Sequence, residues 1–71
     1  MKVFTKQDYI NNLEWIPVSS VSFEYDDETI EFEQDKEDEL LISIASYKLF
    51  ILDGNKLFYY QHVENISAEI I

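Results

Sequence analysis

The segment from Leu49 to Gln61, LFILDGNKLFYYQ, restricts the possible folds more than any other part of this chain. Two apolar runs flank Asp53-Gly54-Asn55, and Gly54 is the only glycine in the sequence. A tight hairpin needs positive φ at such a position, which glycine supplies without a steric penalty. The segment therefore predicts a β-hairpin. Its strands are apolar on both faces, so they are expected to be central or covered on both sides.

A second hairpin is expected upstream. Val21, Phe23 and Tyr25 alternate with Ser20, Ser22 and Glu24, which is the period of a half-buried strand. Asp26-Asp27-Glu28 reads as a turn, and Ile30 and Phe32 then alternate with Glu31 and Glu33. Residues 34–39 form a polar connection. Residues 40–48, LLISIASYK, satisfy two patterns. Leu40, Leu41, Ile44 and Tyr47 fit a helix face, whereas the β-branched Ile42 and Ile44 and the alternation of Leu40, Ile42 and Ile44 favour a strand. The tail, VENISAEII, reads as a final strand or a short helix, with an apolar end that docks.

At the other end, Thr5-Lys6-Gln7-Asp8 has the form of a capping box, and Tyr9, Ile10, Leu13 and Ile16 follow at near-helical spacing. This predicts a short helix over residues 6–15, stopped by Pro17. The sum is one α+β domain spanning residues 1–71, with a short N-terminal helix packed on an antiparallel sheet of about four to six strands.

Charge is distributed very unevenly over this framework. Ten of the fifteen acidic residues lie between Glu24 and Glu39, and with Lys36 that window carries −9 of the net −10. The rest of the chain holds five acids and four lysines and is nearly neutral. A concentrated field of one sign steers partners of the other. The candidate partner-binding residues are Glu24, Asp26, Asp27, Glu28, Glu31, Glu33, Asp35, Glu37, Asp38 and Glu39. On extended strands, Glu24, Asp26, Glu31 and Glu33 are expected to point away from the core as a lattice of carboxylates, which Asp35, Glu37, Asp38 and Glu39 extend. The same charge argues against direct binding of nucleic acid or of anionic membranes, both of which would be repelled.

This layout of acids on a small domain resembles that of DNA-mimic inhibitors as a class, including several anti-CRISPR and anti-nuclease proteins of phages. The resemblance rests on charge arrangement and chain size, with no shared motif. It implies a phage or mobile-element inhibitor that occupies the nucleic-acid-binding surface of a basic host protein. Basic residues that are all lysine, together with abundant isoleucine, point to an AT-rich genome. Two other classes fit the same features: an immunity protein that neutralises a basic toxin, and a small structural or adaptor subunit, monomeric or homodimeric. An acidic strip that only keeps a small domain soluble is the plainest reading of such a run.

Enzymatic chemistry finds little support in the residues. His62 is the only histidine, there is no cysteine, and no phosphate-binding glycine loop or nucleophile motif occurs. An open strip of mutually repelling carboxylates lacks the apolar pocket that would separate an acid from a base. The run Asp35-Lys36-Glu37-Asp38-Glu39 has spaced oxygens, but Leu40 stands where a calcium loop needs glycine. No cofactor or metal is therefore expected. The lack of cysteine, of a leader-like apolar run and of a long apolar stretch gives cytoplasmic as the expected location.

Overall fold

The computed structural model describes residues 14–71. Six strands occupy this span: β1 (Ile16–Tyr25), β2 (Glu28–Glu33), β3 (Leu40–Ala45), β4 (Lys48–Asp53), β5 (Lys56–Gln61) and β6 (Glu64–Ile70). There is no helix among the described residues, and the α+β expectation is corrected to an all-β architecture, a curled antiparallel sheet in the form of a half-barrel. Most of the helix expected over residues 6–15 lies outside the described residues. Glu14 and Trp15 are not helical, and Ile16, counted as part of that helix face, opens β1. Pro17 does not end a helix there. It sits second in the strand, where the fixed φ of proline suits extended backbone and its missing N–H costs little.

β1 organises the sheet because it pairs with three other strands. Its first residues pair with β3 (Ile16 with Ile42, Pro17 with Leu41), and the stretch Ser20–Tyr25 pairs with β2. Along Val18–Glu24 it also pairs with β6. β2 and β6 both pair along Ser20–Glu24 and so take opposite edges of β1; the Pro17 carbonyl accepts from the Ile71 amide on the β6 side, which leaves β3 to follow β2 along the other edge. The order β2-β1-β3-β4-β5 follows, with β6 beside β1. Such sharing requires β1 to bend. The register against β6 shifts between Val18 and Ser20, and this shift lets both Val18 and Val21 face inward although they are three positions apart.

The turns follow from local chemistry. Asp26 and Asp27 both have positive φ (52° and 64°), the pattern of a type I′ turn, which aspartate tolerates better than most residues. In the β4–β5 hairpin Gly54 has φ 61° while Asn55 does not share the positive sign, the pattern of a type II′ turn. The predicted hairpin is thus present with its glycine in the expected role. Residues 40–45 resolve as strand, and the tail as β6.

The concave face holds the core. Val18, Val21 and Phe23 of β1 meet Leu40 and Ile42 of β3, Leu49 and Ile51 of β4, and Val63, all buried. Aromatic rings close the space between the two ends of the curl. Phe32 of β2 lies 5.0 Å from Phe58 of β5, centroid to centroid, and Phe23 lies 4.9 Å from Tyr60. Tyr25 meets Tyr60 edge-on at 5.1 Å. These spacings are those at which ring pairs attract.

A candidate acidic interface on the convex face

Cross-strand partners share a face of the sheet, so the register of β2-β1-β6 defines what its convex side presents. Three rows result. Glu33, Ser20 and Glu69 form the first, Glu31, Ser22 and Ser67 the second, and Thr29, Glu24 and Glu64 the third. Glutamates therefore occupy both flanking strands, while the middle strand contributes the short Ser20 and Ser22 and, in the third row, Glu24. The result is a shallow trough over Ser20 and Ser22, walled by Glu33 and Glu69 in the first row and by Glu31 on one side in the second, and closed by Glu24 in the third.

Strand geometry gives its size. The flanking strands lie ~9.6 Å apart, and the three rows span ~14 Å along β1. Five carboxylates, Glu24, Glu31, Glu33, Glu64 and Glu69, share this patch, and among the described residues the paired rows contain no lysine. One strand of B-DNA places about four phosphates along the same ~14 Å. The charge density of the trough is thus comparable with that of a single nucleic-acid strand.

Two of the carboxylates are tethered. Asn65 Nδ2 donates to Glu24 Oε2 at 2.8 Å, and Ser19 Oγ lies 3.3 Å from Glu69 Oε2 and from the Glu69 carbonyl oxygen. A tethered carboxylate loses less rotamer freedom when a cation arrives.

The candidate residues read from the sequence divide into separate groups. Glu24, Glu31 and Glu33 come together on the convex face. Asp26 does not join them, because β1 ends at Tyr25 and Asp26 and Asp27 form the turn. Glu28 pairs with Tyr25 and so belongs to the concave side. Asp35, Glu37, Asp38 and Glu39 lie on the exposed connection between β2 and β3, which is held to the β4–β5 turn by a hydrogen bond from the Gly54 amide to the Glu39 carbonyl (3.0 Å). Lys36 donates its amide to Asp35 Oδ1 at 2.6 Å within this connection.

Glu64 and Glu69 lie far outside the acidic window and were missed by it. For Glu69 the signal was present in its alternation, with Ser67, against Ile66 and Ala68, whereas Glu64 has the parity of Ile66 and reaches this face only through the register shift at Asn65. The Glu69 signal could be used only after the tail was known to be a strand paired with β1.

Two clefts flank the space between the ends of the curl. One, of about 550 Å³, is lined by Glu24, Tyr25, Asp26, Asp27, Gln61, His62 and Glu64. The other, of about 480 Å³, is lined by Glu33, Gln34, Asp35, Asp38, Asp53, Asn55 and Lys56. Among the described residues no group of three or more histidine, aspartate or glutamate side chains is arranged to hold a metal ion.

Comparison of the chain with protein-family models, curated proteins and solved structures finds no match. No helix among the described residues is long and apolar enough to cross a membrane.

Proposed function

We propose that this chain is a non-enzymatic binding protein whose convex β2-β1-β6 face occupies the nucleic-acid-binding surface of a basic protein, in the manner of a DNA-mimic inhibitor. The observation that supports this reading is the trough itself: five glutamates from three strands, with no lysine in the paired rows among the described residues. Lysine or arginine side chains of the partner reach into the trough, where they meet Glu33 and Glu69 on either side of Ser20 and Glu31 beside Ser22. Exposed pairs of this kind are screened by salt, so binding weakens steeply as ionic strength rises. The rigid sheet fixes the spacing of the charges, which a flexible acidic tail would not.

The test is capture of basic proteins by the tagged chain at low salt, followed by challenge of the bound material with duplex DNA. Displacement by DNA, and loss of capture with the Glu31→Lys, Glu33→Lys variant, are the expected results. Capture that resists DNA and survives the double substitution would overturn the proposal.

A further inference from the structure

The curl of the sheet does not close. β2 and β5 end the path β2-β1-β3-β4-β5, and among the described residues they are not hydrogen-bonded to each other. On the concave side Phe32 of β2 meets Phe58 and Tyr60 of β5. The two strands therefore form the lips of a seam.

The register shows which main-chain groups the lips leave open. A two-residue turn closes on a hydrogen-bonded pair, and such pairs then recur at every second position of an antiparallel ladder. In the β4–β5 hairpin these are Asp53 with Lys56, Ile51 with Phe58 and Leu49 with Tyr60. The N–H and C=O groups of Leu57, Tyr59 and Gln61 consequently point into the seam. By the same reasoning β2 presents those of Thr29, Glu31 and Glu33.

The two lips differ in how they are guarded. Open strand edges invite pairing with other chains, and charged side chains suppress it. β2 carries Glu28, Glu31 and Glu33 in six residues. β6, another edge, carries Glu64 and Glu69 and is interrupted at Asn65, where φ is 51°. β5 has only Lys56 at its start, followed by Leu57, Phe58, Tyr59, Tyr60 and Gln61. Among the described residues, its edge is the unguarded one.

What lies at the ends of β5 indicates the occupant. Lys56 borders the cleft that contains Glu33, Asp35, Asp38 and Asp53. Gln61 borders the cleft that contains Glu24, Asp26, Asp27 and Glu64. An apolar strand edge about 17 Å long thus runs from one acidic cleft to the other. We infer that the β5 edge is a strand-addition site for an extended segment of a partner protein, apolar along its middle and basic at both ends. Main-chain hydrogen bonds to Leu57, Tyr59 and Gln61 supply the pairing, and the two clefts select for positive charge at the ends. A second copy of this chain is disfavoured as the occupant. Antiparallel pairing of β5 with β5 would bring the acidic clefts of the two copies face to face. This site is distinct from the convex trough and stands or falls separately.

The probe is a synthetic seven-residue peptide with lysine at each end and alternating valine and threonine between. Binding is followed by amide exchange and by chemical-shift changes along the chain. The expected result is slower exchange at Leu57, Tyr59 and Gln61. A peptide with glutamate ends, or one N-methylated at alternate amides, should bind about tenfold more weakly, the equivalent of one or two main-chain hydrogen bonds. Tyr59→Pro should weaken binding similarly, because it removes an outward N–H and no bond to β4. The N-methylated peptide keeps the test valid even if that variant is unstable. Equal affinity of the N-methylated peptide, absence of binding at millimolar concentration, or shifts confined to Ser20, Ser22 and Ser67 would overturn the proposal. So would a doubling of solution mass through β5 pairing in the absence of peptide.

Discussion

Asn65 and Glu24 are joined by a 2.8 Å hydrogen bond from Nδ2 to Oε2 at the point where the register between β6 and β1 shifts. The shift aligns Glu64 with Glu24, where an unbroken ladder from Ser22–Ser67 would align Asn65. Asn65 itself takes φ 51°, a left-handed backbone that asparagine accepts at less cost than most residues. One residue thus both accommodates the irregularity and holds a trough carboxylate in place.

The backbone and side-chain roles of Asn65 can be separated. Asn65→Ala should destabilise the fold by about 1–2 kcal/mol, through the left-handed φ and the lost bond. Asn65→Gly should cost less, because glycine tolerates the backbone and only the hydrogen bond is lost. Urea unfolding of both variants measures the difference. Equal losses would mean that φ at this position contributes nothing.

The turns give a pair of opposite expectations. Ser46 has φ 57° in the two-residue connection between β3 and β4, a position at which glycine is preferred, so Ser46→Gly should raise stability by about 1 kcal/mol. Gly54→Ala should lower it by about 1–2 kcal/mol. Beyond its φ of 61°, an added Cβ would lie 2.9 Å from Asp38 Cγ. Asp38 is on an exposed connection and can move, so the backbone strain is the larger part. Thermal unfolding of the two variants should shift in opposite directions.

Self-repulsion should be visible in the response to salt. A chain of net charge −10 gains stability as added salt screens its field, so the urea midpoint should rise from low to physiological ionic strength. The Glu31→Lys, Glu33→Lys variant has a net charge of −10 + 4 = −6 and should respond less. Both side chains are exposed, so the variant should stay folded. Loss of the fold would show that these residues do more than face solvent.

Much of the fold was legible in the residues because the signals were local. The alternation of Val21, Phe23 and Tyr25 with polar residues depends only on the pleat, and the β4–β5 hairpin depends only on a glycine between two apolar runs. The N-terminal reading erred at Ile16, whose helical spacing from Leu13 was real but was overridden by pairing with Ile42 on β3. Periodicity over so few residues cannot exclude the extended form when a distant strand offers hydrogen bonds.

Local patterning specified the β1–β2 and β4–β5 hairpins and the placement of Glu24, Glu31 and Glu33 opposite the apolar face, since side-chain alternation is a property of each strand alone. That patterning did not specify the β3–β4 hairpin, because residues 40–48 also fit a helix face. Which strands flank β1, and with that the composition of the trough, follows from long-range pairing. Glu64 and Glu69 join it because β6 returns to pair with β1, whereas Asp26, Asp27 and Glu28 leave it because a two-residue turn ends the strand before them. A carboxylate's face follows from its neighbours in sequence. Its companions on that face follow from strand order and register, which are set by contacts between residues far apart in the chain.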